Sequence, residues 1–302
     1  MATALPAVFT SARCLDHETG PHHVETPERL RVLQARISRA DPNALREAAI
    51  APRAALERVH PSAYLEFLRG FAERGGGALG EQDMIVSPAS FSAAIAAAGA
   101  ALAAVRHACD GQGNAFAAVR PPGHHALAEQ AMGFCLLGNA VIAAREAQAL
   151  GRRRVLIVDW DVHHGNGTQA LVEQDPSIRF VSLHQWPLYP GTGAASERGV
   201  GNVFNVPRPP GLPPDRYVAD LLAAVAEARS DWSPDLLIVS AGYDSMRGDP
   251  LGGFTLEPEH YALLCEALRS GSPGAPIVGL LEGGYAPALM AEGVLATLRA
   301  LN

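Results

Sequence analysis

The chain has 302 residues, 48% hydrophobic and 18% charged, with a formal net charge of −7. That is enough apolar material for one large core, and no Lys/Arg-rich run marks a nucleic-acid or anionic-membrane surface. Its four cysteines, Cys14, Cys109, Cys135 and Cys265, form no CxxC; this argues against a disulfide framework or a cysteine zinc site and fits a reducing cytoplasm.

The opening MATALPAVFTSARC has no basic n-region and no long apolar h-region, so no signal peptide is expected. Ala7 to Thr10 reads as a first strand. The polar loop from Cys14 to Pro27 carries His17, His22 and His23, read as loop or capping residues. Pro27 suits the first turn of a helix, which then runs from Glu28 to Arg39. A second helix spans Pro61 to Arg74 and ends at the GGG of 75–77. Asp83 to Pro88 is expected to be a loop. The Ala-rich segment from Ala93 to Val105 is too short to span a bilayer. It lies in a helix, Ser90 to Cys109, expected to be packed on all sides.

Ala115 to Val119 is a strand ending in Arg120-Pro121-Pro122-Gly123-His124-His125. Leu136 to Leu150 is a helix. Strand Val155 to Trp160 follows, then a helix from Thr168, a strand from Arg179 to Leu183 and a turn-rich loop from Trp186 to Gly193. A short strand at Val203 to Val206 leads to a helix from Pro213 to Arg229. Leu236 to Ser240 is a strand ending at Gly242-Tyr243-Asp244. The loop RGDPLGG, 247–253, precedes a helix from Glu257 to Arg269. The last strand, Pro276 to Leu281, ends in Glu282-Gly283-Gly284-Tyr285, and a helix closes the chain. Strands alternating with helices predict an α/β fold with a mostly parallel sheet and helices on both faces, in one domain over residues 1–302.

The stretch VLIVDWDVHHGNGTQ, 155–169, carries the chemistry. A branched apolar strand breaks into Asp159, Asp161, His163, His164 and Asn166. In a parallel sheet that cluster lies at the carboxyl edge, where such folds keep their ligands. Asp159, Asp161 and His163 are each two apart, so on an extended backbone their side chains would point the same way. Clustered carboxylates and imidazole call for a cation between them. Four strand ends share this edge: His124/His125, the 159–166 cluster, Asp244 and Tyr285. Asp161, His163 and Asp244 are the candidate metal ligands. Two carboxylates and one imidazole suit Zn²⁺, with Fe²⁺ or Co²⁺ as alternatives. Three protein ligands leave an open position, as at a catalytic zinc.

RPPGHHA, GFC, VDWDVHHGNGTQ, SLHQ, YPGTG, SAGYDSMRGDPLGG and EGGY, in this order, resemble the histone deacetylase family of arginase/deacetylase-fold zinc hydrolases. The resemblance covers about His23 to Tyr285 and includes the bacterial deacetylase-like enzymes and acetylpolyamine amidohydrolases. It implies the arginase/deacetylase fold, with Asp161, His163 and Asp244 as zinc ligands. It implies His125 as general base and then acid, His124 as an electrostatic partner held by Asp159, and Tyr285 as donor to the substrate carbonyl. Asn166 stands where many members have Asp as the partner of His125, which suggests the class II-like branch. Gly133 and Phe134 match one channel wall. Tyr189 stands where Phe is common on the other wall, which predicts a more polar channel. Leu251 resembles the general deacetylases. Asp159, Asp161, His163, Ser182 and Leu183 match a structural K⁺ (or Na⁺) site, and Arg29 an arginine lining an internal cavity.

The implied reaction is removal of an acetyl or related acyl group from an amine. Acetyl-lysine in a protein or peptide is the first expectation and an acetylpolyamine or other small amide the second. A polyamine-selective site calls for a carboxylate at the mouth, for which Asp83, Glu129 and Asp16 are candidates. A binuclear manganese ureohydrolase would need more carboxylates than this cluster holds. A non-catalytic acyl-lysine binder would not need the tandem histidines. No nucleic-acid or membrane partner is expected, and the oligomeric state stays open, a homo-oligomer included.

Overall fold

The computed structural model describes residues 4–302. In chain order the strands are β1 (Ala7–Thr10), β2 (Leu45–Glu47), β3 (Gly77–Leu79), β4 (Glu81–Val86), β5 (Ala115–Ala117), β6 (Val155–Asp159), β7 (Ile178–Gln185), β8 (Val203–Arg208), β9 (Leu236–Ala241) and β10 (Ile277–Leu281). Eight of them form one parallel sheet in the order β2-β1-β5-β10-β9-β6-β7-β8. Every residue of β6 and β9 is buried, as expected of parallel strands covered on both faces. The order makes β5, β10, β9 and β6 consecutive neighbours, although the chain visits them far apart. Register places Asp159 beside Ser182 of β7 and Ser240 of β9.

The helices are α1 (Pro27–Ala40), α2 (Arg53–Leu56), α3 (Ser62–Glu73), α4 (Ser90–Cys109), α5 (Asn139–Ala149), α6 (Asn166–Val172), α7 (Pro214–Glu227), α8 (Pro258–Gly271) and α9 (Pro287–Leu301). They pack around the sheet. Four of them (α1, α7, α8 and α9) carry proline in the first turn, where no intrahelical N–H is lost. Helix α4 has the length and hydropathy of a membrane span. It is instead buried along most of its circumference, against β1, β5 and α5. Its alanines let it approach the sheet closely.

Three expectations change. Asp83 to Pro88 is not a loop: Glu81–Val86 is a strand, paired antiparallel with Gly77–Leu79 outside the main sheet. Met84 and Val86 turn inward, into a satellite core beneath α3. That alternation is the strand signal. The segments β2 and α2, only three and four residues long, carry no periodic pattern and were not expected. The helix expected from Leu136 begins at Asn139, after Gly138, with Leu136 and Leu137 buried in the approach to it.

Candidate active site

The carboxyl ends of four adjacent strands deliver the polar groups. β5 leads to His124 and His125, β10 to Tyr285, β9 to Asp244, and β6 to Asp159, Asp161 and His163. The extended spacing expected through His163 does not persist, because β6 stops at Asp159. The Asp161 N–H donates to Asp159 Oδ1 at 3.0 Å, and the His163 N–H donates to Asp161 Oδ1 at 2.9 Å. Each aspartate closes a local turn on the amide two residues on. These turns separate the roles: Asp159 faces His124, while Asp161 and His163 face Asp244. His164 turns away to Thr192 Oγ1 (2.8 Å) and Gln169 Oε1 (2.9 Å).

Asp161, His163 and Asp244 bring one ligand atom each within 4.8 Å of the others, and all three are buried. His163 Nδ1 lies 3.0 Å from Asp161 Oδ1 and 3.2 Å from Asp244 Oδ2. Asp244 Oδ2 is buried and makes no hydrogen bond. A carboxylate oxygen left bare in a low-dielectric interior is costly, and a cation would satisfy it. The other carboxylate oxygens are held: Asp244 Oδ1 by the Val162 N–H at 2.9 Å, Asp161 Oδ2 by the Gly283 N–H at 2.8 Å. The backbone of Gly283 runs so close that a Cβ there would overlap both carboxylates. Burial, then Asp161, raises Asp244 to about 7 when no metal shares the site. The donor set is the hard-to-borderline kind that suits zinc.

The tandem histidines are set differently. His124 Nδ1 bonds Asp159 Oδ2 at 3.0 Å, with Nε2 3.8 Å from Asp161 Oδ1. Burial disfavours its charge, but Asp161 and Asp159 outweigh burial and raise its pKa well above the usual range. His125 Nδ1 lies 2.7 Å from Asn166 Oδ1. The Asn166 amide nitrogen donates to Met132 Sδ at 3.3 Å, which turns its oxygen toward the histidine. An amide oxygen only accepts, so His125 carries its proton on Nδ1 and leaves Nε2 a lone pair. Burial first, then His124 and His163, lowers the His125 pKa well below the usual range.

A channel of about 250 Å³ leads to this cluster, lined by His125, His163, Gly133, Phe134, Leu188, Tyr189, Leu251, Tyr285, Glu81 and Asp83. Gly133 and Phe134 both adopt left-handed backbone, φ +53° and +66°. A phenylalanine there is strained. Ring contacts with His23 (4.7 Å) and Tyr285 (5.9 Å) flank it. Tyr189 stands perpendicular to His125 at 5.1 Å. Its hydroxyl donates to Glu81, so the polar atom expected to face the channel is engaged by another side chain. Burial, then Asp244, raises the Tyr285 phenol well above its usual range, so it stays protonated. Of the mouth carboxylates expected, Asp83 lines the channel, whereas Asp16 and Glu129 do not.

Sequence reasoning missed several supports. Asp249 accepts the backbone N–H of Tyr285 at 2.6 Å and of Leu251 at 3.0 Å. Glu282 accepts the N–H groups of Gly123 and His124. Glu81 was hidden inside an unexpected strand. Arg29, which the sequence did single out, is fully buried, donates to the carbonyls of Glu282 and Gly284, and stacks 4.9 Å from the Tyr285 ring. The residues of the expected monovalent site, Asp159, Asp161, His163, Ser182 and Leu183, are all buried where β6 ends beside β7. His184 is buried and bonded to Ser182 Oγ and the Gly193 carbonyl. His23 reaches the channel mouth through Phe134 and the Asp83 carbonyl.

Residues 23–301 match the histone deacetylase domain. The chain belongs to the histone deacetylase family. It is 35% identical to the histone deacetylase-like amidohydrolase of Pseudomonas aeruginosa, over 99% of this chain and 87% of that protein. It is 38% identical to the polyamine deacetylase HDAC10 of Homo sapiens, over 92% of this chain and 44% of that protein. The crystal structure of the HDA15 HD domain superposes with a TM-score of 0.93 at 37% identity, covering 98% of this chain and 90% of that one. The eight-stranded parallel sheet is thus the arginase/deacetylase fold of the histone deacetylase family, and the protein is a hydrolase of that family.

Proposed function

We propose that the protein is a zinc-dependent deacetylase that hydrolyses the acetyl-lysine amide. The observation that carries this is the His125–Asn166 bond, which frees His125 Nε2 in the same channel as His163 and Tyr285. Asp161, His163 and Asp244 would hold the metal. The chemistry supplied by zinc in this cradle is Lewis acidity toward water and an amide carbonyl.

The side chains divide the remaining work. His125 Nε2 takes a proton from the attacking water and returns it to the leaving amine nitrogen. The amide C–N bond breaks, giving acetate and a free amine. Tyr285 donates its phenolic hydrogen to the carbonyl oxygen as charge grows there. His124, kept protonated by Asp161 and Asp159, adds a positive charge beside them. Phe134, Tyr189 and Leu251 enclose the aliphatic stem and exclude water. A monovalent cation, K⁺ or Na⁺, beside Asp159 and Ser182 belongs to the same reading.

The second reading is an acetylated polyamine as substrate. Asp83 in the channel lining favours it, because a second ammonium would meet negative charge there. The test is a paired rate assay of zinc-loaded protein on an acetyl-lysine peptide and on acetylputrescine, each with a chelated control. Faster, chelator-sensitive peptide turnover supports the first reading. Faster acetylputrescine turnover moves the assignment to the second. Absence of chelator-sensitive acetate release from both overturns the deacetylase assignment.

A further inference from the structure

We infer that Glu81 is the positioning residue of the acyl channel, a carboxylate that ties its two walls together over His125; the inference rests on the deacetylase reading above. The walls come from separate loops. Gly133 and Phe134 follow the tandem histidines, and Tyr189 lies between β7 and β8. Glu81 comes from neither. It opens β4 in the hairpin outside the main sheet.

Its two oxygens reach both walls. Oε2 accepts the Gly133 N–H at 3.0 Å. Oε1 and Oε2 accept the Tyr189 hydroxyl at 2.9 and 3.0 Å. Both partners touch the same imidazole. A Cβ on Gly133 would overlap His125 Cδ2 and come within 3.0 Å of Tyr189 Cε1. The Tyr189 ring meets His125 at an interplanar angle of 89°. The carboxylate therefore fixes how far apart the walls stand and how the base ring is held between them.

Two further features argue that the tie has a function. The bonded amide belongs to the first of two consecutive left-handed residues, a backbone that persists only when its surroundings hold it. Among the described residues no Arg or His lies within 4.0 Å of the Glu81 carboxylate to form an ion pair. Its charge is met only by two hydrogen-bond donors, each from one wall. Charge-assisted bonds of this kind are the strong ones.

Glu81 acts through Gly133 and Tyr189, so its loss should weaken binding of the acylated chain and leave the proton-transfer chemistry in place. The test uses the zinc-loaded full chain as wild type, Glu81→Ala, Glu81→Gln, Tyr189→Phe and the double variant Glu81→Ala/Tyr189→Phe. Two readouts are taken: kcat and KM for an acetyl-lysine peptide, and the calorimetric Kd of a linear alkyl hydroxamic acid. Bound zinc is counted in each protein. Glu81→Ala and Tyr189→Phe should each raise KM and Kd roughly tenfold, with kcat held within about threefold. The double variant should be no worse than the weaker-binding single variant, because the bond that Tyr189→Phe removes is already lost in Glu81→Ala. Glu81→Gln, which still offers an oxygen to Tyr189, should recover part of the loss.

Wild-type KM and Kd in Glu81→Ala, or losses that multiply in the double variant, overturn the inference. Should Glu81→Ala fail to fold, Tyr189→Phe, which removes the tie from the other side, decides alone: wild-type KM and Kd in it overturn the inference. If wild type releases no acetate, the deacetylase reading fails on its own, and the hydroxamate Kd series still decides the role of Glu81 by the same criteria.

Discussion

His125 Nδ1 stands 2.7 Å from Asn166 Oδ1, and that bond decides which nitrogen of the candidate base is free. An aspartate at 166 would make the same bond with a full negative charge. The imidazolium would then be favoured and its pKa would rise. His125 works as a base only when neutral, so rate is lost as pH falls through its pKa. Asn166→Asp should therefore move the acidic limb of the kcat/KM profile to higher pH, with slower turnover below neutrality. Asn166→Ala should lose the orientation and lower kcat about 10- to 100-fold, a range borrowed from supporting residues of metal sites. A pH–rate series on the three proteins checks both. An unmoved acidic limb in Asn166→Asp would show that His125 is not the base.

Tyr285 is placed by its neighbours as much as by its strand. Its N–H is held by Asp249, and its ring lies against Arg29 and Phe134. Tyr285→Phe keeps the ring and removes the phenolic hydrogen that the proposed mechanism gives to the substrate carbonyl. It should lower kcat about 10²- to 10³-fold, with bound metal unchanged. Steady-state kinetics and metal analysis on one preparation read both. Wild-type turnover would remove Tyr285 from the mechanism.

Behind Tyr285 lies a buried charge cluster whose failure should unfold the protein from the acid side. Glu25 accepts from Arg120 Nε at 2.9 Å, Arg120 Nη2 at 2.7 Å and Arg29 Nη1 at 2.8 Å. Burial pushes its carboxyl up, but Arg120 and Arg29 outweigh burial and hold it at about 2, from an ordinary 4.5. A lowered carboxyl pKa contributes stability that is complete above about 4.5 and lost as pH falls toward 2. His17, whose pKa burial lowers to about 4 from 6.5, is neutral in the fold. The unfolded chain takes up its proton first, so stability also falls between 6.5 and 4. Glu25→Gln should cost about 3–5 kcal/mol at neutral pH, because two buried guanidiniums lose their counter-charge. It should also remove the Glu25 share of the acid loss below about 4.5, while the His17 loss that begins at 6.5 stays and extends lower, since Glu25 no longer raises His17. Urea unfolding at a series of pH values tests this. An unchanged slope below 4.5 would mean that another carboxylate carries the acid transition.

The sequence was most readable where one residue type does one job. Buried strands such as Val155–Val158 advertise themselves by unbroken branched apolar residues, and parallel topology then puts Asp161, Asp244 and Tyr285 on one edge. The local path from Asp159 to His163 was not readable that way. Side-chain-to-amide bonds replaced the extended backbone there, and spacing alone does not reveal such competition. The hairpin carrying Glu81 was missed because its strands are only three and six residues long and start in a run of glycines. Asp249 and Glu282 act through backbone amides brought close by tertiary folding. No local pattern marks them.

Asp244 Oδ2, buried without a hydrogen bond, supplies the last prediction. In the metal-free protein this oxygen shares a buried site with Asp161, and only His163 Nδ1, 3.2 Å away, offsets their repulsion. A ligand that binds only the folded state stabilises it by about 2.7 kcal/mol at a hundred times its Kd. Zinc should therefore raise Tm in a concentration-dependent way, and chelation should reverse it. Asp244→Asn removes one charge and one strong ligand, so the metal-free variant should be as stable as wild type or more so, while the zinc-dependent rise disappears. Gly283→Ala should abolish the rise by another route, since its Cβ would press on both carboxylates. Differential scanning calorimetry with and without zinc separates the outcomes. If Asp244→Asn keeps the full zinc shift, the metal is held elsewhere, and the assignment of Asp161, His163 and Asp244 falls with it.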